Sequence, residues 1–284
     1  MNNIIEINQF QQHILHVFKF TVDFIERHGM KYVACGGTVL GAVRHNGFIP
    51  WDDDIDIYMP RADYERLLDM KEEMRKEGFD VLSLRDKNYY LPFAKVSDMN
   101  TTLWEEEAFP FLMGVYVDIF ALDNFSDNDE VITAIQRRGL KKFYNYQKSV
   151  KHYKLHDLWN DLWQGNLANG LDKLLFTCAR PLRKILLKRF LDYQHWYSSH
   201  NGDKTVCVTQ WPGKIFKREW FDDVVDCPFV DTTVKIPRDS DGYLRCLYGD
   251  YMTLPPVEQR KSEHNHLYLN FDKRVIPPGF PMEE

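Results

Sequence analysis

The sequence lacks most of the features that would place a protein quickly. Its five cysteines (Cys35, Cys178, Cys207, Cys227 and Cys246) are scattered through 284 residues and form no C-x-x-C pair. That disfavours a disulfide framework or a zinc site and points to reduced thiols. No run approaches the ~20 apolar residues of a membrane span. The opening MNNIIEINQF has no basic stretch followed by a continuous apolar one, so no secretory leader is expected. There is no internal repeat and no low-complexity linker. A formal net charge of −6 argues against a general nucleic-acid binder. The expected setting is cytoplasmic, with the option of working beside a membrane.

The remaining composition is that of a globular chain. A hydrophobic share of 44% and a charged share of 27% allow a sizeable core and exclude disorder. The charge is unevenly spread. Residues 130–200 hold 13 Lys and Arg against 5 Asp and Glu, a net +8 that leaves −14 for the rest. This basic, aromatic-rich segment, from Arg137 through Lys154 to Arg189, is either a solvated helix face or a surface for an anionic acceptor or the inner membrane leaflet.

Hydrophobic spacing orders the chain into helices and short strands. Phe10, Ile14, Val17, Phe18, Val22 and Ile25 recur at helical spacing over residues 8–28, and Gly29 supplies a stop. Residues 32–35 read as a strand, 38–45 as a short helix ended by Asn46-Gly47, 55–59 as a strand and 63–76 as a helix. Further strands are expected at 80–84, 93–97, 101–105, 116–120, 205–209 and 233–236. Helices are expected at 127–152, at 171–197 with a kink at Pro181, and at 243–248. The predicted class is α+β, a mixed sheet flanked by helices in one domain over residues 1–284, with a helical, basic insertion at about 126–202.

One stretch, GFIPWDDDIDIYM, sets four carboxylates (Asp52, Asp53, Asp54 and Asp56) against the apolar residues Ile55, Ile57 and Met59. Side chains alternate along a strand, so Asp54 and Asp56 share one face, Asp52 joins them if the extended conformation reaches Trp51, and Asp53 points away. Like charges on one face repel unless a cation neutralises them, and a hard divalent ion is one resolution. A solvated acidic turn or a calcium loop is the plainer one. Upstream, Gly36, Gly37 and Thr38 open a helix where free N–H groups favour a phosphate, although an ordinary strand-to-helix turn has the same look. Arg44 is placed to reach the same anion or simply to lie on the surface. Asp118 stands alone in the apolar strand VYVDIF and needs a cationic partner, a metal or a basic side chain. Lys95, between Phe93 and Ser97, is a phosphate contact or an exposed lysine. His264 and His266 bind a metal or phosphate, or sit at the surface.

A Gly-Gly-Thr turn, an Asp-x-Asp strand and a third aspartate on a later strand together resemble the nucleotidyltransferase fold. The run from Gly36 to Ile57, GGTVLGAVRHNGFIPWDDDIDI, is similar to the signature of the LicD family, whose animal relatives include fukutin and fukutin-related protein. YVDIFALD at 116–123 and the block at 243–260 match the same family, while residues 125–202 match it least. The resemblance implies transfer of phosphocholine from CDP-choline to a sugar of teichoic acid, lipopolysaccharide or another glycan, with release of CMP. The animal relatives use CDP-ribitol. It further implies two Mg²⁺ or Mn²⁺ ions held by Asp52, Asp54, Asp56 and Asp118, with Asp118 a candidate general base. Gly36, Gly37, Thr38, Arg44 and Lys95 would contact donor phosphates. A choline head group calls for an aromatic box, for which Tyr116, Phe120, Trp51 and Trp104 are candidates, each of them as readily core. The competing readings are a nucleotidyltransferase acting on the α-phosphate of an NTP, and a non-catalytic nucleotide-binding subunit of a glycan-assembly complex.

Overall fold

The structure is a computed structural model, and it describes residues 2–152, 155–262, 264 and 266–281. Lys154, counted in the basic segment, lies outside the described residues. The long apolar stripe builds helix α1 (Asn2–Arg27), with Phe10, Ile14, Val17, Phe18 and Ile25 all buried. The chain turns at Gly29, whose φ of +63° is the left-handed conformation that glycine adopts without a steric cost.

The first half continues through β1 (Val33–Ala34), α2 (Gly36–His45), β2 (Asp56–Pro60), α3 (Arg61–Asp69), α4 (Lys71–Lys76), β3 (Phe79–Leu82), β4 (Ala94–Asp98), β5 (Thr102–Trp104) and β6 (Tyr116–Phe125). Four helices follow: α5 (Asp129–Val150), α6 (Leu155–Trp163), α7 (Leu167–Ala179) and α8 (Arg183–Ser198). The remainder holds β7 (Lys204–Val206), β8 (Phe216–Lys217), α9 (Glu219–Asp222), β9 (Val224–Phe229), β10 (Thr232–Pro237), α10 (Ser240–Tyr248) and β11 (Tyr268–Asn270).

The main sheet runs β1-β2-β6-β4-β3, with β7 beside the far half of β6 and β8 beside β7. Only β2 and β6 pair in parallel; the other pairs are antiparallel. This mixed sheet with flanking helices is the α+β class expected. Because strand residues alternate, Ile57, Met59, Val117 and Ile119 enter the large core shared with α1. Tyr58, Phe120 and Leu122 enter a smaller core on the other face. By the same alternation Asp56 and Asp118 belong to that second face.

Several expected boundaries move. The helix expected at 63–76 divides at Met70, whose φ of −90° and ψ of 12° leave the helical region. The helix expected at 171–197 starts earlier and is cut by a single 3₁₀ turn, Arg180–Leu182, since Pro181 cannot donate to the helix before it. Helices α6 and α9 and strands β8, β9 and β11 were not anticipated. These strands are two to six residues long; β9 forms a hairpin with β10, β8 pairs with β7, and β11 depends on a partner far away in the chain. That partner is β5, with Tyr268 opposite Trp104.

Candidate active site

Strand register assembles the site. Asp56 on β2 lies opposite Asp118 on β6, and Asp118 lies opposite Lys95 on β4, so three charged side chains stand at one level across three adjacent strands. The approach to β2 is fixed by backbone bonds. Asp118 N–H donates to Ile55 O at 2.9 Å, Cys35 N–H donates to Asp56 O at 3.1 Å, and Asp56 N–H donates to the Thr38 hydroxyl at 2.8 Å. Thr38, expected on the donor phosphates, thus has the first task of locking the α2 turn to the carboxylate strand.

The two glycines of that turn permit close approach. Gly36 has φ +52°, and a Cβ there would lie 3.1 Å from the Trp211 ring and 3.6 Å from an Asp56 carboxylate oxygen. Its N–H donates to the Tyr243 hydroxyl at 3.0 Å. A Cβ on Gly37 would come within 2.8 Å of an Asp52 oxygen. The helix start and the acidic run are therefore in contact, as a site that joins phosphate to carboxylate-held charge requires.

The carboxylates are held under mutual repulsion. Burial, then Asp54 and Asp53, push Asp52 up to about 8. Asp54 is raised by burial, with Asp53 adding to it while His264 and Lys95 oppose. Asp56 is driven well above the usual carboxylate range by burial and by Asp54, Asp118 and Asp52. Asp118 is raised to about 6, burial outweighing the pull of Lys95.

Lys95 resolves the cationic partner that Asp118 needs. It is 2% exposed, contrary to the exposed reading, and its Nζ lies 2.7 Å from Asp118 Oδ1. The same ammonium sits 3.2 Å from the centroid of the Tyr116 ring. Tyr116 does hold a cation on its face, and the cation is Lys95, which leaves that face no room for a ligand's ammonium. The Tyr116 hydroxyl donates to Glu105, which also accepts from Tyr90 at 3.0 Å. Burial works against the Glu105 charge, but Lys95 and these hydroxyls outweigh it and hold its carboxyl below the usual range. Phe120 packs on Phe93 at 4.3 Å between centroids, and Trp104 is buried with its indole N–H donating to Glu106 O at 2.9 Å. Of the expected aromatic box, Trp51 alone among these four residues remains partly exposed.

Asp53 turns into protein rather than water, where it shares His264 with Asp54, whose carboxylate lies 3.9 Å from His264 Nε2. Asp53 is buried, accepts from the Ser262 hydroxyl and lies 2.9 Å from His264 Nδ1. Those two bonds outweigh burial and hold its carboxyl below the usual range. In return the Asp53 hydrogen bond raises His264 to about 9, against the effect of burial. The surface reading of the histidines is corrected: His264 is clamped by the acidic run, and His266 packs on Phe10 at 4.5 Å between ring centroids. The contact joins residues 211 positions apart, a separation at which no local pattern in the sequence could signal it.

Two cavities open beside Trp51. One of about 740 Å³ is lined by Phe10, Trp51, Asp53, Arg260, His264 and Phe271, among others. The other, of about 630 Å³, includes Leu40, Arg44, Trp51, Tyr248 and Tyr251 in its walls. Arg44 is half-buried there and donates to Tyr251 O at 2.6 Å. A smaller cavity of about 260 Å³, lined by Pro60, Leu122 and Asn124 among others, is at the opposite ends of β2 and β6. Trp211 and Glu105 are site neighbours that the sequence reading does not single out, whereas Tyr243 and Tyr248 lie in the block at 243–260 that it does.

An all-carboxylate donor set suits a hard divalent ion such as Mg²⁺ or Mn²⁺. Burial first, and then neighbouring carboxylates, raise Asp52, Asp54 and Asp56, so a cation placed among them would favour their charged forms. Among the described residues, no three His, Cys, Asp or Glu side chains converge as they stand on one ligating point. The residues fit such an ion by chemistry and by crowding.

A mixed sheet with a Gly-Gly helix start against an acidic strand, and a further carboxylate on the neighbouring parallel strand, is consistent with a nucleotidyltransferase-like domain. Residues 29–161 match the family model described as LicD/FKTN/FKRP, nucleotidyltransferase domain. This stretch is thus similar to a LicD-family domain. The chain is 27% identical over 252 residues, 88% of this chain and 92% of the relative, to the lipopolysaccharide cholinephosphotransferase LicD of Haemophilus influenzae. Over 68 residues, 24% of the chain, it is 35% identical to an uncharacterised protein of Rickettsia prowazekii, covering 26% of that relative. A match of the same length to an uncharacterised protein of Rickettsia typhi is 32% identical and covers 22% of it.

Proposed function

We propose that the protein transfers phosphocholine from CDP-choline to a sugar hydroxyl of a cell-surface glycan and releases CMP. The observation that carries this reading is the register of Asp56, Asp118 and Lys95 across three strands, in a chain similar along most of its length to a lipopolysaccharide cholinephosphotransferase. In-line transfer asks the protein mainly for positioning and for neutralising charge.

Asp54 and Asp56, with Asp52 beside them and Asp118 as the third carboxylate, would hold the divalent ions. When bound, such ions supply charge neutralisation at the donor phosphates and at the attacking and leaving oxygens. The Gly36-Gly37 turn and Arg44 receive the donor diphosphate, and Lys95 keeps Asp118 charged and oriented. With a pKa near 6, Asp118 is ionised at neutral pH and able to accept the acceptor's proton. Trp51, shared by the two cavities, separates a donor side at Arg44 from an acceptor side walled by Phe10 and Phe271, and its ring, already met by Arg260 at 5.6 Å, is the partly exposed aromatic that a quaternary ammonium would share.

The test is a panel of CDP-choline, CDP-ribitol and CTP with Mg²⁺, following CMP against pyrophosphate. CMP release from CDP-choline, stimulated by a glycan acceptor, is the expected result. Pyrophosphate from CTP would move the protein to nucleotidyl transfer, and no turnover on any donor would leave a binding subunit.

A further inference from the structure

The helices between β6 and β7 invert the usual arrangement. On α7, Leu167, Leu171, Leu174 and Leu175 recur at the i, i+4, i+7, i+8 spacing that a soluble helix turns toward its core, yet all four are exposed. On α6, Trp159 is 68% and Trp163 93% exposed, one turn apart. Leu182, at the 3₁₀ turn, and Ile185, on α8, continue the exposure. Helices α6 and α7 are joined to each other, with Lys173 and Asp161 in an ion pair at 2.6 Å. The exposed apolar residues thus lie on two helices packed against each other. Apolar exposure on this scale marks a docking surface.

The charge on the neighbouring helices α8 and α5 says what docks. Lys184, Lys188 and Arg189 are exposed on α8, as are Arg137, Arg138 and Lys141 on α5, within the segment of net charge +8. Two copies of this lobe would bring like charge together, and protein interface cores are depleted of charge. An anionic lipid surface meets both requirements, because exposed tryptophan and leucine enter the headgroup boundary while lysine and arginine meet the phosphates. Among the described residues no helix is long and apolar enough to cross a membrane, which leaves the in-plane mode.

We propose that α6, α7 and the start of α8 form a membrane-docking face that inserts Trp159, Trp163 and the α7 leucines into an anionic bilayer surface. The face is tied to the candidate site through α5. There the Tyr146 hydroxyl donates to Tyr89 O at 2.7 Å and Gln147 Nε2 donates to Tyr90 O at 3.0 Å, while Tyr90 bonds the Glu105 carboxylate beside Lys95. An acceptor held in the same membrane would thus meet a site mechanically connected to the docking lobe.

The experiment is sedimentation of the full chain with vesicles of phosphatidylcholine alone and of phosphatidylcholine mixed with phosphatidylglycerol, with tryptophan emission recorded. Expected are binding to the mixed vesicles that weakens with salt, a blue shift on binding, and little binding to phosphatidylcholine alone. The double variant Trp159→Ser/Trp163→Ser and, separately, Lys184→Glu/Arg189→Glu should each weaken binding roughly tenfold or more, with thermal unfolding unchanged. Binding indifferent to anionic lipid, or to both variants, overturns the proposal. So does an unbound wild type that light scattering shows to be a dimer dispersed by the tryptophan variant.

Discussion

Asp118 and Trp163 stand at opposite extremes of the molecule. In the sheet, a carboxylate is almost wholly enclosed and the structure supplies Lys95 at 2.7 Å to hold it. In the helical lobe, Trp163 is 93% exposed, within a segment whose net charge is +8. Burying charge and exposing tryptophan are each unfavourable in isolation. They are tolerated where a partner is in place, internally for Asp118 and externally, by the inference above, for Trp163.

Removing the acidic crowding should break the first half of the comparison most severely. Asp56→Asn is expected to lower turnover by about 10³-fold or more, measured as CMP release. In chelator its melting temperature should hold or rise, since a repelling charge has gone. Asp53→Asn, which leaves the Asp54 and Asp56 carboxylates intact, should lose far less. Equal losses would refute the division of the acidic run into two faces.

Next in size is Lys95→Met. It strands the Asp118 carboxylate and should cost about 3–5 kcal/mol in a denaturant titration, with much of the loss recovered by adding Asp118→Asn. Failure of the second change to rescue would mean that Lys95 stabilises through Tyr116 rather than Asp118.

The clamp from Asp53 to the segment at 262–264 should be worth less, about 1–3 kcal/mol for His264→Ala. Its pH dependence follows from the shifts. His264, raised from 6.5 to about 9, contributes fully below 6.5 and loses its contribution as the pH rises through 9. Asp53, held below 3.8, contributes above 3.8 and loses its contribution as the pH falls through its lowered value. Proteolysis near residue 262 should therefore accelerate above about pH 9 in the wild type, and should already be fast at pH 7 in His264→Ala.

The smallest effect sharpens the second half of the comparison. Leu175→Ser on the exposed face of α7 should change stability by no more than about 0.5 kcal/mol, whereas Ile57→Ala in the sheet core should cost about 2–5 kcal/mol. A large loss at Leu175 in the lipid-free protein would show that the face is covered by protein after all.

Much of the fold was legible because it is written locally. The spacing from Phe10 to Ile25, the glycines at 36 and 37, and the alternation that sets Asp56 apart from Ile57 depend on nearby backbone geometry, which residue type and spacing specify. Strand β11 escaped notice because it depends on pairing with a distant segment, whereas the break at 180–182 is local and follows from Pro181. The candidate carboxylates could be named from the chain, but their partners could not. Lys95 meets Asp118 through strand register, and His264 meets Asp53 across 211 positions. Nor could the leucine spacing of α7 say whether its stripe faces core or solvent. A periodic pattern states that a helix has an apolar side, and only the packing of every other element decides whether anything is left to cover it.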